Sequence, residues 1–154
     1  MAIYFFDSSA IVKRYVSERG TAWVTGVADP AAENRIYVAR VSGVEVISAI
    51  TRHARAGAIS PSELATALAD FRHDFANQYR IVPVNVAVVD RAMSLAEVHG
   101  LRGYDAVQLG AALEANAQRV SRGVPPVTLV SSDAELNAAA IVEGLVVDDP
   151  NGHP

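Results

Sequence analysis

Cysteine is absent from this chain of 154 residues, and it has no long hydrophobic run. Without cysteine there is no disulfide bond, no thiol nucleophile and no cysteine-ligated metal site. The longest apolar stretch, residues 81–89, is interrupted by Pro83 and Asn85 and falls far short of the roughly 18 residues that span a bilayer. The N-terminal MAIYFFDSS lacks the basic segment of a signal peptide, so we expect a soluble, cytoplasmic protein with no membrane partner.

Basic residues are also in the minority. Lysine and arginine number 13 against 17 aspartates and glutamates, which gives a net charge of -4. That balance disfavours a protein that binds nucleic acid through an overall basic surface, although it does not show where the charges lie. Hydrophobic residues make up 51% and charged residues 19%, which is typical of a globular protein. We predict one domain over residues 1–148, followed by a polar C-terminal tail over 149–154.

Short apolar segments alternate with longer amphipathic ones along the chain. Strands are predicted at 2–6, 35–39, 79–83, 126–130 and 145–147. Helices are predicted at 9–17, 21–28, 42–56, 61–77, 86–99, 104–120 and from about 132 to 143. This alternation predicts an α/β fold, with a mostly parallel central sheet of four to five strands and helices on both faces.

Serine residues mark the predicted starts of four of the helices. Ser8 and Ser9 are candidate N-caps of the first helix. A serine followed three residues later by a glutamate, the capping-box pattern, occurs at Ser42/Glu45, Ser60/Glu63 and Ser132/Glu135.

Four acidic residues are placed for chemistry at one edge of the predicted sheet. Asp7 directly follows the first strand, Glu45 lies on the helix after the second, Asp105 begins the helix that leads into the fourth, and Asp133 follows the fourth. Each acid alone is also explained by a helix dipole or a cap. Together they would repel by about 4 kcal/mol per pair at 4 Å and an effective dielectric of 20, so a cluster requires a cation. Oxygen ligands of this kind favour Mg²⁺, with Mn²⁺ as the alternative.

Other kinds of catalytic site have no motif in this sequence. The four histidines (His53, His73, His99 and His153) show no paired metal-ligand spacing, which disfavours zinc. The absence of G-x-S-x-G disfavours a serine hydrolase. The absence of a glycine-rich phosphate loop disfavours a nucleoside triphosphatase and a Rossmann dehydrogenase. A cation held by carboxylates generates its own hydroxide nucleophile, so no nucleophilic side chain is needed.

Four segments carry a resemblance to a known family. They are DSSAIVKRYVSE (7–18), SGVEVISAI (42–50), LRGYDAVQLGAA (101–112) and VSSDAEL (130–136). In order and spacing they resemble the four acidic motifs of the PIN-domain ribonucleases, and the chain length and the closing GLVVDDP resemble the toxins of VapBC toxin–antitoxin modules. The resemblance implies a three-layer α/β/α sandwich. It covers essentially the whole chain.

The resemblance also implies roles for single residues. Asp7 and Asp105 would be the main direct metal ligands, and Glu45 and Asp133 would bind directly or through water. Ser9 and Ser132 match hydroxyl positions beside the acids and would position a water or a phosphate of the substrate. Leu136 stands where the family often has an aromatic residue, so the match is looser around Asp133.

The activity that the resemblance implies is metal-dependent hydrolysis of RNA phosphodiester bonds, leaving a 5′-phosphate and a 3′-hydroxyl. The implied partners are the RNA substrate, a second copy of the chain in a homodimer, and a VapB-type antitoxin in a hetero-oligomer. The C-terminal segment of the antitoxin would cover the active site. Lys13, Arg14 and Arg102 are the basic residues that we predict to position the substrate, because arginine in particular suits phosphate contacts. The stretch 71–79 is either partner-facing or part of the core.

Two alternatives stay open at the level of the sequence. A magnesium-dependent phosphatase of the haloacid-dehalogenase type would use Asp7 as a covalent nucleophile, but it needs a second acid two residues later, where Ser9 stands. A non-catalytic binding module could keep the same fold. The presence of all four acids favours the enzyme over the binding module.

Overall fold

A five-stranded parallel sheet lies at the centre of the computed structural model, which describes residues 1–153. Its strands are β1 (Ile3–Phe6), β2 (Arg35–Ala39), β3 (Arg80–Val82), β4 (Thr128–Val130) and β5 (Val146–Asp148). They lie in the order β3-β2-β1-β4-β5, and every neighbouring pair is parallel. The predicted α/β class and the predicted parallel sheet are therefore confirmed.

The connections between strands are helical. The helices are α1 (Ser8–Tyr15), α2 (Thr21–Ala28), α3 (Ser42–Arg55), α4 (Pro61–Asn77), α5 (Val86–His99), α6 (Gly103–Ser121) and α7 (Ala134–Val142). Short 3₁₀ helices occupy Pro30–Ala32 and Pro150–Gly152. Across the described residues 1–153, no helix combines the length and the hydrophobicity that a bilayer crossing requires.

The two faces of the sheet carry separate cores, as the apolar strand β1 shows. Phe5 packs in a cluster with α5, α6 and α7, while Phe6 packs in a cluster with α1 to α4. Both side chains are fully buried although neighbouring residues of a strand point to opposite faces. A strand of this kind has to be covered on both sides, which gives the three-layer arrangement.

The order of the strands creates a crevice between β1 and β4. The chain moves outward from β1 through β2 to β3, then crosses back to place β4 on the other side of β1. Phe6 pairs with Val130 at the ends of these strands, and the Asp7 amide donates to the Val130 carbonyl at 3.1 Å. Ligands of parallel α/β sheets bind at such a switch point, beyond the carboxyl ends of the strands.

One of the three predicted capping boxes is confirmed. At the start of α4, the Ser60 hydroxyl accepts from the Glu63 amide at 3.2 Å, and the Glu63 carboxylate accepts from the Ser60 amide at 2.6 Å. The predicted box at α3 is wrong. Val41 occupies the N-cap position there with no side-chain bond, because Ser42 is buried and Glu45 points toward other helices.

Aspartates, not the predicted serines, cap α1 and α7. The Asp7 carboxylate accepts from the Ala10 amide at 2.9 Å, and the Asp133 carboxylate accepts from the Leu136 amide at 2.9 Å. The predictions for Ser8/Ser9 and for Ser132/Glu135 were therefore wrong. The physical reason is that an aspartate directly before the first helical residue reaches the same orphan amides with a charged acceptor, which the helix dipole favours.

The predicted C-terminal tail packs against the domain over its described part, 149–153, while Pro154 lies outside the described residues. Pro150 is buried, and the His153 ring stacks on Trp23 with the ring centroids 4.2 Å apart. Gly20 makes this packing possible, since a Cβ on its left-handed backbone (φ 86°) would lie 2.5 Å from the Pro150 carbonyl oxygen.

Candidate active site

All four predicted acids line one cavity at the switch point of the sheet. The cavity has a volume of about 470 Å³ and opens beyond the carboxyl ends of β1 and β4. Asp7 comes from the end of β1, Glu45 from α3, Asp105 from the first turn of α6 and Asp133 from the start of α7. The remaining lining residues are Ser8, Ser9, Val12, Val44, Ser48, Ala49, Arg52 and Tyr104.

Asp7 is the most deeply buried of the four and accepts the most hydrogen bonds. Its side chain accepts from the Ser9 hydroxyl at 2.7 Å, the Ala10 amide at 2.9 Å and the Ser131 hydroxyl at 2.8 Å. Burial raises the pKa of the Asp7 carboxyl to about 6, and the charge of Glu45 adds to the rise against the lowering effect of the three hydrogen bonds. A carboxylate so desolvated gains from a cation beside it.

Glu45 is held from two other helices. The Ser8 hydroxyl of α1 donates to its Oε2 at 3.2 Å, and the Gln108 side-chain amide of α6 donates to its Oε1 at 2.7 Å. The carboxylate that looked like a helix cap in the sequence is thus directed into the space between α1, α3 and α6.

Asp105 and Asp133 complete the negative side of the cavity. Burial raises the pKa of the Asp105 carboxyl, with smaller contributions from the charges of Asp133 and Glu45, while Arg102 opposes the rise. The Asp133 amide donates to the Ser131 hydroxyl at 3.0 Å. Ser131 therefore connects the strand exits that carry Asp7 and Asp133.

Two predicted serines are also at the site, in different roles. The Ser9 hydroxyl donates to Asp7 and accepts from the Ser132 backbone amide at 3.0 Å. Ser132 contributes that amide, while the buried hydroxyl beside Asp7 belongs to its neighbour Ser131.

The donor set of the cavity suits a hard, hydrated cation. Its four acids face one basic lining residue, Arg52, which leaves the site with excess negative charge. Within residues 1–153, no group of three or more acidic or histidine side chains is already placed to hold a metal ion. Mg²⁺ characteristically keeps several waters and takes only one or two carboxylates from the protein, so an open cavity lined by carboxylates and hydroxyls fits it.

Lys13 and Arg14 are not brought to this cavity. Lys13 is buried and its ammonium lies 3.8 Å from the Glu18 carboxylate. Arg14 lies 3.3 Å from the Asp74 carboxylate and donates to the Tyr79 hydroxyl at 2.9 Å. Both sit in the last turn of α1, at the end of the helix opposite to Asp7. The prediction that they position the substrate has no geometric support, whereas Arg102 does lie near Asp105.

Several residues of the site were not among the site residues predicted from the sequence. They are Ser8, Arg52, Tyr104, Gln108 and Ser131. Helical spacing offered a signal for two of them, because Arg52 lies two turns after Glu45 and Gln108 lies one turn after Asp105. Ser131 offered no comparable signal, since its partner Asp7 is 124 positions away.

An apolar groove adjoins the acidic cavity. It has a volume of about 820 Å³, lies between α3 and α4, and shares Val44 and Ser48 with the cavity. Phe71 and Phe75 line it, and the Arg40 guanidinium lies 5.7 Å from the centre of the Phe75 ring. Part of the stretch 71–79 thus faces a surface groove, although Phe71 itself is fully buried.

Comparison with known proteins identifies the family of this chain. The family model for the PIN domain matches residues 4–142, a range that contains all four acids. The chain belongs to the PIN-domain family. Ribonuclease VapC45 from Mycobacterium tuberculosis is 35% identical to this PIN domain over 113 residues, which cover 73% of this chain and 76% of the relative.

Solved structures show the same fold at lower sequence identity. A toxin–antitoxin complex from Klebsiella pneumoniae contains a chain that matches this PIN domain with a TM-score of 0.62 and 14% identity, over 96% of this chain and 97% of that chain. The VapBC2 complex from Rickettsia felis, bound to a promoter DNA fragment, matches with a TM-score of 0.60 and 14% identity, over 96% and 98% of the two chains. The predicted three-layer PIN-like sandwich is confirmed.

Proposed function

We propose that this PIN domain is a divalent-metal-dependent endoribonuclease that hydrolyses RNA phosphodiester bonds as the toxin of a VapBC-type toxin–antitoxin module. The observation that carries the proposal is the convergence of Asp7, Glu45, Asp105 and Asp133 on one cavity with a single basic lining residue. The ribonuclease name of the 35% identical relative supports the same activity. We further propose that residues 1–148 form the catalytic domain and that the protein acts in the cytoplasm.

Asp7 and Asp105 would hold the cation directly, with Glu45 and Asp133 binding directly or through water. Mg²⁺ is our first choice and Mn²⁺ the alternative, because the donors are all oxygen atoms. When bound there, such an ion supplies an acidified water and stabilises negative charge on a phosphoryl oxygen. Ser9 and Ser131 keep the Asp7 carboxylate oriented, and Arg52 and Arg102 offer positive charge to the RNA backbone.

The partner that we propose beside RNA is a VapB-type antitoxin. Its apolar segment would lie in the groove of Phe71 and Phe75, which runs into the acidic cavity through Val44 and Ser48. An arginine of that segment would then compensate the four carboxylates in place of a metal ion. We propose a homodimer of this chain inside such a hetero-oligomer, in keeping with solved neighbours that are described as toxin–antitoxin complexes.

Replacing single metal ligands tests the proposed activity. We expect Asp7→Asn and Asp105→Asn each to lower Mg²⁺-dependent cleavage of an RNA substrate by about 100-fold or more, since several kcal/mol of charge stabilisation depends on the cation. Asp90→Asn, at an exposed position of α5, is the matched control and should cleave as the wild type does. Mass spectrometry should find 5′-phosphate ends. Full cleavage by either ligand variant, or in excess EDTA, would contradict the proposal.

A further inference from the structure

We propose that Gln108 is a positioning residue that fixes the Glu45 carboxylate for binding the divalent cation, an inference that rests on the proposed function. Gln108 lies on α6, one turn after Asp105, and is 1% exposed. Its amide nitrogen donates to Glu45 Oε1 at 2.7 Å and to the Ser42 hydroxyl at 2.9 Å. It thereby connects the helix that carries Asp105 to the helix that carries Glu45.

Stability alone does not explain a glutamine at this position. Its neighbours along α6, Leu109, Ala111 and Ala112, are fully buried and apolar. Within residues 1–153 the side-chain amide oxygen of Gln108 (Oε1) has no hydrogen-bond partner. An unpaired buried polar atom costs about 1–3 kcal/mol, so an apolar side chain of the same size would suit the core better. What the amide adds is a hydrogen-bond donor aimed at Glu45.

The Gln108 amide and the Ser8 hydroxyl each donate a hydrogen bond to a different oxygen of the Glu45 carboxylate. Ser8 Oγ donates to Oε2 at 3.2 Å while Gln108 donates to Oε1. An ionised carboxylate has about four acceptor sites, so each oxygen keeps capacity for a cation or its water. Both donors are neutral, and they orient the carboxylate without cancelling its charge. This combination is what a metal ligand needs from its supporting hydrogen bonds.

Direct Mn²⁺ binding separates a positioning role from effects on turnover. Free Mn²⁺ is measured by electron paramagnetic resonance as the metal is titrated into the full chain. Gln108→Met keeps the length of the side chain and removes the donor, and we expect the affinity for Mn²⁺ to fall about 10- to 100-fold. Gln118→Met is the matched control, because Gln118 is an exposed glutamine of the same helix that bonds only to Glu114.

A double-mutant cycle tests whether Gln108 acts through Glu45. In a Glu45→Gln background, adding Gln108→Met should produce no further loss of Mn²⁺ affinity, because the carboxylate to be positioned is already gone. A further loss equal to that in the wild-type background would show a general structural role and overturn the inference. If Gln108→Met does not fold, Gln108→Asn replaces it, since that amide is one methylene too short to reach Glu45.

The outcomes also distinguish this inference from the proposed function. A wild type that binds Mn²⁺ and cleaves RNA, combined with a Gln108→Met variant of unchanged affinity, would overturn the positioning role alone. A wild type that neither binds Mn²⁺ nor cleaves RNA would overturn both.

Discussion

Helix α1 has a polar cluster at each end, and the two clusters differ in charge balance. At its N-terminal end Asp7 lies with Glu45 in the acidic cavity, held by hydroxyls and amides. At its C-terminal end Arg14 meets Asp74 at 3.3 Å, and the Tyr15 and Tyr79 hydroxyls are 2.7 Å apart beside them. The helix dipole favours an anion at the first end and a cation at the second, so both placements follow from one physical effect.

The difference in charge balance indicates that the C-terminal cluster stabilises the fold and that the N-terminal cluster serves the function. The cluster at the C-terminal end contains its own counter-charge and needs nothing from outside the chain. The acidic cavity lacks enough positive charge to balance its four acids. Burial raises the pKa of Asp7 there, and the nearby charge of Glu45 adds to the rise. At neutral pH and above, a cation from outside the chain would balance this excess negative charge, which is why we assign catalysis to the N-terminal end. Lys13 and Arg14 belong to the other end, and so they are poor candidates for substrate contacts.

The largest expected effect comes from breaking the balanced cluster. Arg14→Met keeps much of the apolar stem but leaves Asp74 without its ion pair. The site is largely buried, since the Arg14 and Asp74 side chains are 15% and 17% exposed. We expect the free energy of unfolding to fall by about 3 kcal/mol, as urea denaturation would measure. Arg91→Met, at an exposed position of α5, is the control and should change little. Equal stability of the two variants would show that the Arg14 cluster is not structural.

The opposite change in stability is expected at the acidic end. Without metal, Asp7→Asn should raise the free energy of unfolding by about 2 kcal/mol at pH 8, because the asparagine keeps acceptor and donor groups and loses the buried charge.

The stability of the wild type should depend on pH, because the Asp7 carboxyl changes its charge. The Asp7 pKa is about 6 in the folded chain, above the ordinary value near 3.8, so the folded state binds more protons than the unfolded state between these values. The stabilising contribution is therefore complete below about pH 4 and is lost, by about 3 kcal/mol, as the pH rises through 6. Urea denaturation in EDTA should show this loss in the wild type and not in Asp7→Asn. An equal slope in both proteins would contradict the assignment.

The smallest expected effect concerns the one basic residue that lines the acidic cavity. Arg52→Gln should raise the KM for RNA a few-fold with kcat and stability unchanged, because an exposed arginine contributes a single backbone contact. The salt dependence of binding should fall by about one phosphate contact. Arg55→Gln, on the same helix and outside the cavity lining, is the control. Identical KM values for the two variants would show that Arg52 does not contact the RNA.

Much of the fold was predictable because its signals are local. The apolar run before Asp7 identifies a strand buried on both faces, and Ser60, Pro61 and Glu63 identify the start of α4. Proximity in sequence also misled, as at Glu45, whose spacing from Ser42 matched a capping box. Gln108, 63 positions away, and Ser8 hold its carboxylate instead, and no local pattern reports such a contact.

The sequence by itself determined the order of strands and helices, and with it the placing of Asp7 and Asp133 where strands end. Hydrophobic periodicity and turn residues act over a few positions, so these features can be derived from the chain alone. The tertiary structure decided which charges face one another. The strand order joined Asp7 to Ser131 across 124 positions, and the length of α1 carried Arg14 away to Asp74. Charge balance in a cavity depends on such long-range contacts, which makes it a property of the folded molecule.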